Sequence, residues 1–194
     1  MPDPHSADTV LDFWFGPPTV PDHGNPRPEW FRKDAAFDQA IRERFGDLHE
    51  EAMRGRLDDW DRTPRSLLAR IIVLDQFSRN LHRDRPQAFA ADAMALADAR
   101  AMVARAWDGE LPHVGRWFVY LPYEHSENAE DQETCVALMR ALSVDPLFAG
   151  ALDYALRHQA VILRFGRFPH RNAILGRAST AEEAAFLLEP GSSF

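Results

Sequence analysis

Apolar residues recur at intervals of three or four along most of the chain, and the period-two alternation typical of strands is scarce. The strongest run, residues 67–77, is apolar almost all round, which predicts a central, buried helix. Thr63 and Pro64 precede it as a capping residue and a first helical residue. The sequence therefore predicts an all-α fold of about eight helices.

The chain has 194 residues, of which 45% are hydrophobic, and this is enough to build one core. We expect a single helical domain over residues 1–194. It includes a proline-rich loop at 17–28 and a frayed tail at 190–194. Helical pairs follow one another without a strict sequence period, which favours a right-handed stack of α-hairpins.

The charge balance argues against several classes of partner. The formal net charge is −8, whereas nucleic-acid binders usually carry a basic excess. Anionic membrane surfaces are disfavoured for the same reason, and no apolar run is long enough to span a bilayer. The first residues lack the basic and apolar parts of a signal peptide, and the single Cys135 has no partner for an internal disulfide. These features predict a cytoplasmic protein that binds neither nucleic acid nor membranes.

The motif F-x-R-x-x-H-R occurs twice, at residues 77–83 and 165–171. In the first copy Arg79 lies four residues after Asp75, the spacing of a helical ion pair, and Arg83 follows near the helix end. The second copy places Arg167, His170 and Arg171 after a helix that Gly166 should end. Arginine clusters of this kind suit a carboxylate or phosphate ligand, or they hold helices together through internal pairs.

An acidic cluster covers residues 124–133 and follows two tyrosines, Tyr120 and Tyr123. Ser126 is expected to cap the helix that begins within it. Arginine forms planar pairs with carboxylates, so the acidic cluster and the arginine clusters are natural partners. His125 has no second histidine at a metal-ligand spacing, and we expect no metal. The sequence also contains no phosphate loop, dinucleotide fingerprint or nucleophile elbow, and we expect no cofactor.

Three segments, residues 67–92, 116–133 and 162–187, resemble a widespread bacterial family known as domain of unknown function 924. The resemblance covers nearly the whole chain and implies a tetratricopeptide-like α-α superhelix. It implies no reaction. Residue 78 is a serine where the family commonly has a proline, so the local geometry of that helix is expected to differ.

These clusters lead to three functional hypotheses. The first is a binding module whose groove holds a small anion or an acidic peptide, and the second is a scaffold in which the charged clusters pair internally. The third is an enzyme that uses His125 or His170 as an acid–base group on an anionic substrate. The sequence does not predict an oligomeric state. The residues predicted to bind the ligand are Arg79, Arg83, Tyr120, Tyr123, His125, Arg167, His170 and Arg171.

Overall fold

The structure, a computed structural model, describes residues 5–20 and 23–192 and contains helices but no strand within those ranges. Two pairs of residues in the predicted loop and tail, 21–22 and 193–194, lie outside the described residues. The α-helices are α1 (Ala7–Phe15), α2 (Ala35–Met53), α3 (Pro64–Ile71), α4 (Ser78–Leu81), α5 (Asp92–Ala104), α6 (His113–Glu124), α7 (Ala129–Leu142), α8 (Ala149–Phe165) and α9 (Ala181–Phe186).

A π-helical segment, Ile72–Phe77, joins α3 to α4 without a break. With α3 and α4 counted as one helix and the short 3-10 turns left aside, the described ranges contain eight helices, which confirms the all-α prediction and the expected number. Thr63 caps α3 by accepting a hydrogen bond from the backbone N–H of Ser66, as its position before Pro64 predicted. Single-turn π segments are rare and occur often at functional sites. This one carries Asp75, which becomes central to the site.

The core is largely aromatic where α1, α2, α6 and the α3–α4 helix meet. Trp14 is fully buried and packs edge-on against Phe118 with the ring centroids 5.4 Å apart. Phe45 and Phe77 are also fully buried, with their ring centroids 5.1 Å apart. Residues 67–69 and 71–78 are all buried, so the apolar run forms the centre of the fold as predicted.

Residue 78 lies inside the continuous helix rather than at its end. The Ser78 hydroxyl donates to the carbonyl of Leu74, four residues earlier, and also contacts His49 Nε2 at 2.8 Å. A serine there retains the backbone N–H that a proline would lack, and its hydroxyl links the helix to α2.

The start of α7 differs from the prediction, because Asn128 is the capping residue instead of Ser126. The Asn128 side chain accepts hydrogen bonds from the backbone N–H groups of Glu130 and Asp131. The Ser126 hydroxyl instead donates to the Asp131 carboxylate at 2.6 Å. Both residues are good capping types, and the sequence alone did not decide which would lie one position before the helix.

The C-terminal part packs through successive helices, with α5 on α6, α6 on α7 and α7 on α8. The short α9 begins with a capping box formed by Thr180 and Glu183. In the described part of the predicted tail, Ser192 is buried and its hydroxyl donates to the carbonyl of Leu187. Within the described ranges, no helix is both long and apolar enough to cross a membrane.

Candidate functional site

A pocket of about 420 Å³ opens between three segments that are far apart in sequence. They are the turn Pro86–Phe89 with the start of α5, the end of α6 with the residues after it, and the stretch 171–175. The lining residues are Pro86, Phe89, Ala90, Asp92, Ala93, Leu96, Pro122, His125, Ser126, Glu127, Arg171 and Leu175.

His125 and the fully buried Asp75 form a hydrogen-bonded pair at the wall of this pocket. His125 Nδ1 lies 2.8 Å from Asp75 Oδ1, although fifty positions separate them in sequence. Asp75 is fully buried. It also accepts a hydrogen bond from the Gln76 amide and forms an ion pair with Arg79. Burial alone would raise the pKa of Asp75, but the Arg79 charge and the contacts with His125 and Gln76 outweigh it and hold that pKa below its usual range.

Arg79 links this pair to Asp92 at the start of α5. Its Nη1 lies 3.1 Å from Asp75 Oδ1 and 3.0 Å from Asp92 Oδ1. The predicted ion pair between Arg79 and Asp75 is therefore present, and it has a second carboxylate that the spacing did not indicate. Arg171 approaches the same Asp92 more loosely, with 3.4 Å between Nη1 and Oδ2.

Arg171 is buried but poorly satisfied. Its guanidinium lies between the rings of Phe89 and Phe168, 4.8 Å and 4.5 Å from their centroids. Its Nε is buried without a hydrogen-bond partner among the described residues. Burial, and then the Arg79 charge, lower the pKa of Arg171 to about 10, so it remains a cation at neutral pH.

Glu124 and His158 lie behind the pocket in a poorly solvated region. Burial, and then the Asp75 charge, raise the pKa of Glu124 to about 8. His158 Nδ1 lies 3.6 Å from Glu124 Oε1 and donates to the carbonyl of Tyr154. Burial lowers the pKa of His158 to about 3. Glu124 is therefore a neutral acid and His158 a neutral imidazole at neutral pH.

The two predicted tyrosines lie in the core rather than among the pocket-lining residues. Tyr120 is fully buried, and its hydroxyl donates to Asp108 at 2.7 Å. Burial raises the pKa of both Tyr120 and Tyr123 to about 12, with Asp108 adding to the effect at Tyr120. Their rings pack in the core and so fix the position of α6, which has His125 at its C-terminal end.

The other predicted residues are Arg83 and Arg167, which pair with carboxylates on neighbouring helices, and His170, which is half-buried. Arg83 forms a two-nitrogen pair with Asp38 of α2, with 2.8 Å between Nη2 and Oδ1. Arg167 pairs in the same way with Glu183 of α9, at 2.6 Å and 2.8 Å. Burial, and then Arg171, lower the pKa of His170 to about 4. The pocket thus brings together His125 and Arg171, with Arg79 directly behind them.

The acidic segment 124–133 is paired with other arginines than those predicted. Arg177 holds Glu127 through two nitrogens, at 2.7 Å and 2.9 Å, and Arg100 holds Asp131 at 2.6 Å. Glu127 also accepts the backbone N–H of Phe168. The expected pairing of the acidic segment with arginines is therefore present in these two pairs. Arg79, Arg83 and Arg167 pair with carboxylates outside the segment 124–133.

Asp92 and Phe89 are pocket residues that the sequence reasoning missed. Asp92 stands in the first turn of α5, where an acidic residue has the ordinary role of complementing the helix dipole. Phe89 belongs to an apolar stripe and gave no sign that it would face Arg171. In the part of the chain that the structure describes, no three His, Cys, Asp or Glu residues form a group that could hold a metal ion.

Arg167→Ala is expected to lower the melting temperature, because Arg167 ties Glu183 and the carbonyl of Ala178 to the end of α8, and to leave unchanged any anion binding that the wild-type protein shows. Differential scanning calorimetry measures the first effect and titration calorimetry the second. Arg164→Ala is the control and should have a smaller effect on the melting temperature, since the one ionic contact of Arg164, with Glu182, is exposed. A stable Arg167→Ala protein that no longer binds anions would show that Arg167 is a ligand residue after all.

The family and the solved structure to which this chain is similar are both described as of unknown function. The model of a family described as "Bacterial protein of unknown function (DUF924)" matches residues 10–191. The solved structure of a protein of unknown function from Agrobacterium tumefaciens is 38% identical, with a TM-score of 0.82, and the match covers 94% of this chain and 96% of that one. No curated protein matches the chain.

Proposed function

The chain belongs to the DUF924 family of bacterial proteins of unknown function, and we propose that its pocket binds a small anionic ligand, such as a carboxylate or a phosphate. One observation carries the proposal. Arg171 is a buried cation that lines the pocket, and its side chain makes a single, long ionic contact with the described residues, 3.4 Å to Asp92. Buried charges are normally paired and fully hydrogen-bonded, so Arg171 retains capacity for a ligand.

The other charges around the pocket are better satisfied. Asp75 has Arg79, His125 and Gln76 as partners. Glu127 is held through both oxygens by Arg177. A ligand anion would therefore meet Arg171 as the group with unused donors, and a planar carboxylate or a phosphate matches the fork of its guanidinium.

The shape of the pocket supports a small molecule more than a peptide. Its volume of about 420 Å³ is in the lower part of the range that small-molecule sites occupy. Phe89, Leu96, Pro122 and Leu175 add apolar surface around the charged end. We therefore propose a compact organic acid or phosphate ester with an apolar portion, in place of the acidic peptide that the sequence left open.

Arg171→Gln is expected to weaken binding of citrate, phosphate or acetate by about 10- to 100-fold, because a charge-assisted hydrogen bond contributes roughly 1.5–3 kcal/mol. Titration calorimetry on the whole protein measures this, with circular dichroism to verify the fold. Arg171→Lys keeps the charge but loses the forked guanidinium, so its affinity should lie between those of wild type and Arg171→Gln. Arg157→Gln is the control, since Arg157 is exposed and pairs only with Asp153 among the ionic contacts.

Equal affinities for wild type and Arg171→Gln would contradict the proposal. Tight binding of short acidic peptides, with none of the small anions, would favour the peptide-binding alternative. The scaffold hypothesis explains the residues that pair internally, above all Arg83 with Asp38 and Arg167 with Glu183. It does not explain the incomplete pairing of Arg171.

We also propose the fold type, cellular location and partners that the sequence predicts. A tetratricopeptide-like superhelix is supported by the successive packing of α5, α6, α7 and α8. A cytoplasmic location, without nucleic acid or membrane partners, is supported by the net charge of −8 and by the single cysteine.

A further inference from the structure

The imidazole of His125 presents one occupied and one unoccupied nitrogen. Nδ1 is engaged by Asp75 at 2.8 Å. Nε2 makes no hydrogen bond to any described residue, and it is not one of the polar atoms buried without a partner. The side chain is 15% exposed and lines the pocket, so Nε2 is the nitrogen available to its contents.

The tautomer of His125 follows from its partner. Burial and the Arg79 charge lower the pKa of His125, so the ring is neutral at neutral pH. Asp75 is ionised and can only accept, which requires the proton to be on Nδ1. Nε2 therefore carries a lone pair, the form in which a histidine serves as a base.

Asp75 is held in place on several sides. Its second oxygen accepts from Gln76, and Arg79 compensates its charge. The residue lies in the π-helical segment, and such segments recur at functional sites. An ionised carboxylate that is hydrogen-bonded behind a histidine fixes the orientation of the ring and stabilises the imidazolium that forms when Nε2 takes a proton.

We infer that His125 is a general base that takes a proton from a water molecule in the pocket, and that this water hydrolyses a small, carboxylate-bearing ester. The inference rests on the proposed function, because Arg171 holds the carboxylate of the substrate. As the proton moves to Nε2, the water oxygen bonds to the acyl carbon and the bond from that carbon to the leaving oxygen breaks. The imidazolium then returns its proton to the leaving oxygen, so the acid and the alcohol are the two products.

Water is the nucleophile because the hydroxyl nearest to His125 in sequence is committed elsewhere. Ser126 lines the pocket, but its hydroxyl donates to Asp131 at 2.6 Å and accepts the backbone N–H of Asn128. A serine nucleophile requires a hydrogen bond to its base, and the Ser126 hydroxyl forms none with His125. Asp75 is a positioning residue, since it acts through His125.

The test compares hydrolysis of mono-4-nitrophenyl succinate, which carries a carboxylate, with that of 4-nitrophenyl acetate, which does not. His125→Gln is expected to lower the protein-dependent rate on both esters by on the order of 10²-fold. The wild-type rate should also fall in D₂O, because a proton moves in the transition state. His113→Gln is the matched control, since His113 contacts Asp145 through Nδ1 at 2.7 Å but lies outside the pocket. It should hydrolyse both esters at the wild-type rate.

Two further variants separate the inference from the proposed function. Asp75→Asn should lower kcat with little change in KM, whereas a merely structural role would not divide the two constants in this way. Arg171→Gln should remove only the preference for the succinate ester. If that preference survives while His125→Gln remains inactive, the role of Arg171 in the proposed function fails and the role of His125 as general base stands.

The inference is overturned if His125→Gln hydrolyses both esters as fast as wild type, or if the wild-type protein adds nothing to the rate in buffer. A second measurement is independent of the choice of ester. Nitrogen-15 NMR of the wild-type protein at pH 7 should show the His125 proton on Nδ1. A proton on Nε2 would overturn the inference as well.

Discussion

Asp75→Ala is expected to destabilise the protein by about 3–5 kcal/mol, the usual cost of removing one member of a buried ion pair. The change leaves three donors, on Arg79, Gln76 and His125, without the carboxylate that they share. The carboxylate is fully buried, so water cannot take its place without entering the core. Urea unfolding followed by circular dichroism measures the loss.

The control for this change is Asp153→Ala. Asp153 also forms an i, i+4 pair with an arginine, Arg157, but both side chains are more than half exposed. Its removal should cost less than about 1 kcal/mol, as for other exposed pairs. If Asp75→Ala proved as mild as Asp153→Ala, the buried cluster would not be holding the π segment, and the geometry of the His125 pair would need another explanation.

Glu124→Gln is expected to stabilise the protein at alkaline pH and to have little effect near pH 5. Glu124 has its pKa raised from 4.5 to about 8, first by burial and then by the Asp75 charge. Between these values the folded chain holds a proton that the unfolded chain has lost. The stability that Glu124 contributes is therefore complete below pH 4.5 and is lost as the pH rises through about 8.

Glutamine resembles the neutral acid in shape and cannot ionise. At pH 8.5 the variant should exceed wild type by on the order of 4 kcal/mol, from 1.36 kcal/mol for each pH unit of the shift. Urea unfolding of both proteins at several pH values between 5 and 8.5 tests this, and the lower end serves as the internal control. A constant difference across that range would show that Glu124 is ionised in the fold.

The buried histidines change the folding stability with pH in the direction opposite to Glu124, and they do so at lower pH. Burial lowers the pKa of His49 and His170 to about 4 and that of His158 to about 3. The stability that these histidines contribute is present above pH 6.5 and is lost as the pH falls through their pKa values in the folded protein. Both proteins retain these histidines, so the difference between wild type and Glu124→Gln isolates the carboxyl group.

Local patterns in the sequence were enough for the helices, because periodicity, capping residues and glycine stops act over a few positions. The ion pair of Asp75 with Arg79 was predictable for the same reason, since its partners are four residues apart. The π segment was not, because an extra residue in a turn leaves the apolar pattern of residues 67–77 unchanged.

The repeated F-x-R-x-x-H-R motif shows how far an identical pattern can diverge. In the first copy, residues 77–81 remain helical, and Arg79 lies inside the helix. In the second copy, α8 ends at Phe165, and Gly166 adopts a left-handed conformation that starts the loop. Arg79 therefore reaches two carboxylates beside the pocket, whereas Arg167 reaches the start of α9.

The sequence by itself determined an all-α chain, a central apolar helix and the residue types available for a charged site. Only the tertiary structure decided which of those residues meet, because 30 acidic and 22 basic side chains allow many equally plausible pairs. His125 reaches Asp75 across fifty positions, and the pocket draws on segments around residues 90, 125 and 171. Such contacts are fixed by the packing of whole helices on a shared core, which no short stretch of sequence encodes.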